Sequence, residues 1–268
     1  SVRRWPDFAG ELEAVTGMSI DYRGDRQLRI AWPEDETRIR TDFETRQDQG
    51  WDVKWVSGDE ARAIEPGLSP DIVGATALSL VHWLDGTKLC AALTEAIVAA
   101  GSVVRENCLV QSIVSANGTI TGLETEHETI HARKIVLSNG MGVNNIDGLP
   151  DDVPLSRPAK GTTLFYRTRE RLLSRMIRHP GISLCPRVNG IIAGSSRERG
   201  GTSLEPDPAI VNEVHSRAVR VLPELADLPS PEPACGLRAL VGDGLLRLGQ
   251  SSEFEGLYYS LSQAGAGF

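Results

Sequence analysis

The sequence has 268 residues, 40% of them hydrophobic and 24% charged, with a formal net charge of −8. That is the balance of an ordinary globular chain, long enough for one large domain or two intertwined ones. The acidic balance and the lack of a basic stripe argue against a nucleic-acid partner, because neutralising phosphates needs clustered Lys and Arg. No apolar run approaches the roughly 20 residues of a membrane span, so no membrane partner is expected. Cys90, Cys108, Cys185 and Cys235 are scattered without a short Cys-x-x-Cys pair. They are expected as small buried hydrophobes of a reducing, cytoplasmic compartment. The chain opens inside a helical pattern and closes straight after Gly-Ala-Gly, so both ends are expected to be cuts in a longer protein.

Val2, Trp5, Phe8, Leu12 and Val15 recur at helical spacing up to Gly17, a natural stop. Leu28 to Trp32 reads as a strand, Glu34 to Gln49 as a charged helix closed by Gly50, and Val53 to Val56 as a second strand. Ser57 and Glu60 spell a capping box for a short helix ended by Pro66. The clearest helix runs from Asp85 to Gly101, with Leu89, Leu93 and Ile97 beside an alanine stripe. Val103-Val104 is expected as the strand after a crossover helix. Leu109 to Val114 alternates, Asn117-Gly118 makes a hairpin turn, and Thr119 to Glu126 pairs back. Thr129 to Arg133 completes a β-meander, and Ile135 to Leu137 ends in Ser138-Asn139-Gly140. A β-rich stretch follows (Thr162 to Arg167, Gly181 to Pro186, Gly190 to Gly194), with one helix begun by Asp207 and Pro208. Gly236 to Phe268 reads as short strands and glycine turns. The tryptophans cluster in the first third and are expected in the core.

Residues 85–140 resemble the second part of the FAD-binding domain in the D-amino-acid oxidase/glycine oxidase family. In that family an Asp-led helix precedes a glycine turn, and a valine on the next strand touches the adenine through its backbone; Val110 matches it. Val136 to Gly140 matches the family's hydrophobic strand beside the dinucleotide. WPDFAGELEAVTGMSIDYRGDRQLRIAW at 5–32, RPAKG at 157–161 and GLR at 236–238 are similar to further family stretches in the same order. The family's G-x-G-x-x-G fingerprint is absent and is expected upstream of Ser1. Without it this chain alone is expected to hold FAD poorly, because those glycines let backbone and helix N-terminus approach the pyrophosphate.

The resemblance implies α/β architecture with α+β character. A partial FAD-binding domain with a β-meander (84–148 and 236–268) is joined to a mixed-sheet substrate domain (1–83 and 149–235). It implies an oxidoreductase moving a hydride from the Cα of an amino acid or related amine to the flavin N5, leaving an imine. The flavin supplies the electron sink, and the protein positions the substrate. Arg238 matches the arginine that holds the substrate carboxylate, where a planar two-donor fork suits the task. Ser183 stands where glycine oxidases carry a pocket tyrosine, and Arg197 where they carry a methionine, which puts glycine in doubt as substrate. Asn139 and Gly140 are expected at the cofactor. Gly265, Ala266 and Gly267 match the turn whose N–H groups face the flavin; the first half of a dinucleotide fingerprint is the alternative there. A different substrate, such as an N-methyl amino acid or hydroxy compound, and a non-catalytic subunit remain alternatives. His127-Glu128-Thr129-Ile130-His131 spells a zinc-protease signature, but in a hairpin the two histidines stand roughly 13 Å apart. No metal site is expected.

Overall fold

The computed structural model describes residues 2–24, 26–199 and 201–262. Its first helix, α1 (Trp5–Thr16), ends at Gly17, and β1 (Gln27–Ala31) and α2 (Glu36–Asp48) follow. Next come β2 (Val53–Ser57), α3 (Gly58–Ile64), β3 (Gly74–Leu78) and α4 (Gly86–Ala99). The meander is β4 (Val110–Ala116), β5 (Thr119–Thr125) and β6 (Thr129–His131), after which β7 spans Ile135–Leu137. The β-rich stretch holds β8 (Arg157–Arg167), β9 (Met176–His179), β10 (Ile182–Arg187), β11 (Gly190–Gly194) and β12 (Glu198–Arg199). It closes with α5 (Pro208–Val221), β13 (Glu232–Leu240), β14 (Arg247–Gln250) and β15 (Leu257–Leu261). The α/β class with α+β character is therefore observed.

Local chemistry explains several of these ends. The Ser57 hydroxyl accepts from the Glu60 N–H at 3.2 Å while the Glu60 carboxylate accepts from the Ser57 N–H at 2.7 Å, which is the expected capping box. Asp85 accepts from the N–H groups of Thr87 and Lys88, and Asp207 from that of Ala209, so each carboxylate satisfies otherwise orphaned helix donors. Asn117 and Gly118 both adopt left-handed φ, 52° and 76°, as a two-residue hairpin with right-handed strand twist requires.

Four expectations are corrected. Val103-Val104 forms no strand; Val103 is 78% exposed, and the chain runs irregularly from α4 to the meander. Trp51 is exposed rather than in the core, lying beside Arg46 on α2. Cys90 is exposed, and none of the four cysteines is paired or fully buried. The stretch 157–161, ahead of the strand expected from Thr162, is the start of β8, and 236–238, expected among short strands and glycine turns, lies inside the nine-residue β13.

The chain divides into two compact units, and the division falls within β8, between Gly161 and Thr162. The first comprises Ser1–Val104, Thr162–Ser196 and Glu205–Cys235; the second comprises Arg105–Gly161, Arg197–Leu204 and Gly236–Phe268. These boundaries differ from the expected ones. Leu89 and Ala92 of α4, together with Leu84, pack against Ala9 and Leu12 of α1 and Ile20, which holds α4 in the first unit.

In the first unit a mixed sheet runs in the order β8-β11-β10-β9-β1-β3-β2, with β9 and β1 the one parallel pair of this run. One face, including Leu28, Ile30, Leu164 and Ile177, is buried under Val214, Ala218 and Val221 of α5 and Ala61 of α3. In the second unit β4-β5-β6 form the meander, and β14-β15-β7 form a second small sheet in which β15 and β7 run parallel. Ile113, Ile120, Leu137, Val143 and Leu257 fill its core.

Candidate cofactor and substrate site

Among the described residues, the second unit holds three of the six expected at a cofactor, Val110, Asn139 and Gly140. Val110 opens β4, and Asn139 follows the apolar β7 just before a 3-10 turn that begins at Gly140. Both Val110 and Asn139 line one cavity of about 330 Å³, together with Ile113, Ile135, Val136 and Leu137. Its wall is apolar except for a few groups such as Ser138 and Asn139. That combination and size suit the planar part of a small organic ligand held by few polar contacts. Gly140 adopts φ +54°, and a Cβ added there would stand 3.6 Å from the Cβ of Ala239 on β13. The turn after β7 is thus packed on the strand that carries Arg238.

Strand alternation turns Arg238 to the side opposite Ala239. There its guanidinium lies on the backbone of Gly161. A Cβ added at 161 would meet Nη2 at 2.6 Å, Nη1 at 2.8 Å and Cζ at 3.0 Å. Position 161 therefore needs a residue without a side chain if Arg238 is to keep this place. The pairing of β13 with β8 brings two motifs together, RPAKG and GLR, that are far apart in sequence. Lys160, next to Gly161, is buried, with its ammonium 3.7 Å from the Glu198 carboxylate of β12. This ion pair reinforces the β12–β8 register at Glu198 and Lys160.

The other expected residues are distributed differently. Arg197 belongs to the second unit and is exposed, in the short connection between β11 and β12. Ser183 belongs to the first unit, half-buried on β10, opposite Arg178 of β9 and Gly194 of β11. Gly265, Ala266 and Gly267 lie outside the described residues. His131 lies on β6 and His127 in the turn before it, so the zinc-like spelling is not on a helix. No helix among the described residues is long and apolar enough to cross a membrane.

Sequence reasoning gave Gly161 no role beyond the motif, because its meaning comes from the strand that crosses it. It also gave none to Arg178 and Arg187, on β9 and β10 of the first unit. A single arginine beside the apolar core positions of a strand was the available signal for a cationic sheet face: Arg29 stands between Leu28 and Ile30, and Arg178 follows Ile177.

Comparison with known proteins extends these observations. Over 274 aligned residues the chain is 27% identical to one of the subunits of opine oxidase from Agrobacterium tumefaciens (strain Ach5), covering 99% of this chain and 72% of that one. It is 28% identical to a glycine oxidase of Pseudomonas putida over 72% of this chain and 53% of the relative. The chain thus spans about half the length of some curated relatives. The crystal structure of glycine oxidase from Bacillus cereus ATCC 14579 has the same fold: TM-score 0.92 at 24% identity, over 97% of this chain and 73% of that one. The model of the DAO family, FAD dependent oxidoreductase, matches residues 1–268. This chain belongs to that family of FAD-dependent oxidoreductases.

Proposed function

We propose that the chain forms the substrate-binding part, and a portion of the cofactor-binding part, of an FAD-dependent enzyme that oxidises an amino acid or related amine. On this reading the second unit serves the cofactor and carries Arg238. The observation that carries it is the Arg238 guanidinium seated on Gly161, on a strand whose next residue abuts Gly140.

Arg238 binds the substrate carboxylate through two parallel N–H donors, and the glycine beneath it leaves the fork's place open. A carboxylate fixed in this way fixes the adjoining Cα–H bond, so orientation is set before any bond breaks. Bound FAD supplies the acceptor for the hydride that leaves Cα. The cavity at Val110 and Asn139 fits an apolar, planar portion of that cofactor, with Asn139 as a polar contact. The substrate becomes an imine, which water hydrolyses after release. Four unpaired cysteines support a reducing, cytoplasmic compartment.

A second reading concerns the amine. The similarity to a component of an opine oxidase extends over 99% of the chain and favours an N-substituted amino acid over glycine. The test is anaerobic mixing of the complete flavoprotein with primary and secondary amino acids while flavin absorbance is followed. Bleaching by at least one carboxylated amine, slowed in Arg238→Ala, is expected. Flavin that stays oxidised with every amino acid tried would overturn the reading and favour a non-catalytic role.

A further inference from the structure

The sheet of the first unit has two unlike faces. Leu28, Ile30, Ile177 and Leu184 point into the core. Strand alternation turns Arg29, Arg178, Ser183, Cys185 and Arg187 to the opposite face. The register sets Arg29 beside Arg178, and Arg178 beside Ser183. Like charges directly opposite each other in a ladder are destabilising, and this arrangement sits in a chain of net charge −8.

Few carboxylates offset that charge. Asp42 of α2 lies 3.4 Å from Arg29 and is shared with Arg46. Asp85 is 3.9 Å from Arg187, beyond hydrogen-bond reach. Burial lowers the pKa of Arg29, Asp42 opposes that shift, and Arg46, Arg178 and Arg38 add to it. The Arg178 side chain is exposed and makes no hydrogen bond or ion pair among the described residues. Arg187 donates from Nη1 to the Leu84 carbonyl at 2.9 Å, and its guanidinium stands 5.1 Å from the centre of the Trp83 ring. Its Nε is buried without a partner.

Cys185 lies between these two cations. It is two residues, about 6.6 Å of strand, from Ser183 beside Arg178, and the same distance from Arg187. Burial pushes its thiol up to about 11, while both guanidiniums pull it the other way. Two long, flexible arginines therefore flank a small side chain, with the half-buried Ser183 hydroxyl at one end.

We propose that Arg178 and Arg187 form a carboxylate-binding seat above Cys185, with the Ser183 hydroxyl as a further donor, and that its ligand is a small organic acid. Assigning that acid as the substrate rests on the function proposed above, since Ser183 is the residue matched there to a substrate pocket; the seat itself does not.

Isothermal titration of the full chain with glutarate, and with its neutral diamide at the same ionic strength, tests the seat. Glutarate binding is expected and diamide binding is not. Arg178→Gln and Arg187→Gln should each weaken glutarate binding about tenfold, and Arg178→Lys should restore part of it. Arg187→Gln could disturb packing on Trp83, whereas Arg178 is exposed and unpaired, so the Arg178 variants are the decisive ones, with circular dichroism checking the fold. Equal affinity in wild type and Arg178→Gln, or no glutarate binding in wild type, overturns the seat. Binding lost only in Arg238→Ala overturns the seat and supports the role of Arg238. Binding that depends on Arg178 in a protein whose flavin no amino acid reduces keeps the seat and removes the proposed function.

Discussion

The sheets of the two units leave apolar side chains in different places. In the first, the fully buried side chains Leu28, Ile30, Leu164 and Leu184 share one sheet face, which α3 and α5 cover. In the second, a small core coexists with apolar side chains left outside. Leu109, Val136 and Leu248 are 69%, 61% and 73% exposed, and two of these line the cavity. Among the described residues β7 pairs on one side alone, with β15. Exposed apolar side chains gathered at one cavity, as Leu109 and Val136 are, mark a place where a ligand or partner binds. The difference separates a sheet face covered by its own helices from a cavity wall left open.

The sharpest way to break this comparison is to remove core volume from each unit. Leu164→Ala should lower unfolding free energy by about 2–5 kcal/mol. Ile113→Ala, at the wall of an existing cavity, should cost clearly less. Urea titrations measure both, and equal losses would contradict the contrast. Val136→Asp makes the complementary test. With its side chain outside, it should change stability by roughly 0.5 kcal/mol or less, yet weaken FAD binding to the complete protein about tenfold, read by flavin fluorescence.

A third prediction concerns the pairing of β8 and β13. Gly161→Ala puts a methyl group where the Arg238 guanidinium lies. Because that group ends a flexible side chain, it should move and the fold should survive. Substrate KM should then rise several-fold, on the order of 1 kcal/mol, with little change in melting temperature. A last effect, confined to high pH, is a pH dependence in the first unit. Burial pushes the Tyr166 phenol, hydrogen-bonded to His215 Nδ1 at 2.9 Å, up to about 12 from 10.0. The unfolded chain releases that proton first, so this contribution is complete below pH 10 and is lost as pH rises towards 12. Tyr166→Phe should flatten the fall in stability across that window, followed by urea midpoints at a series of pH values.

Local signals were readable directly from the sequence. Asp85, Asp207, the Ser57–Glu60 pair and Asn117-Gly118 act on their own neighbours, and each marks the expected element. Non-local pairing hid the rest. Met176–His179 and Gly74–Leu78 are short strands recognisable once their partners are known. β8 starts at Arg157 rather than Thr162, since β12 pairs with its first residues. Val103-Val104, apolar and β-branched, finds no strand partner. Val110 and Asn139, expected at the cofactor from family resemblance, line one cavity. The meeting of Gly161 with Arg238 and the arginine face around Cys185 depend on register between distant segments, which spacing along the chain does not encode.

The most direct test of the central claim is the kcat/KM of the complete flavoprotein for an amino acid and for the matching amine without its carboxylate, in wild type and Arg238→Ala. Loss of a charge-assisted, two-donor contact should lower the value for the amino acid by roughly 2–3 kcal/mol, or about 30- to 150-fold, and leave that for the decarboxylated amine nearly unchanged. An equal fall for both substrates, or no fall for either, would contradict the assignment of Arg238 as the carboxylate anchor.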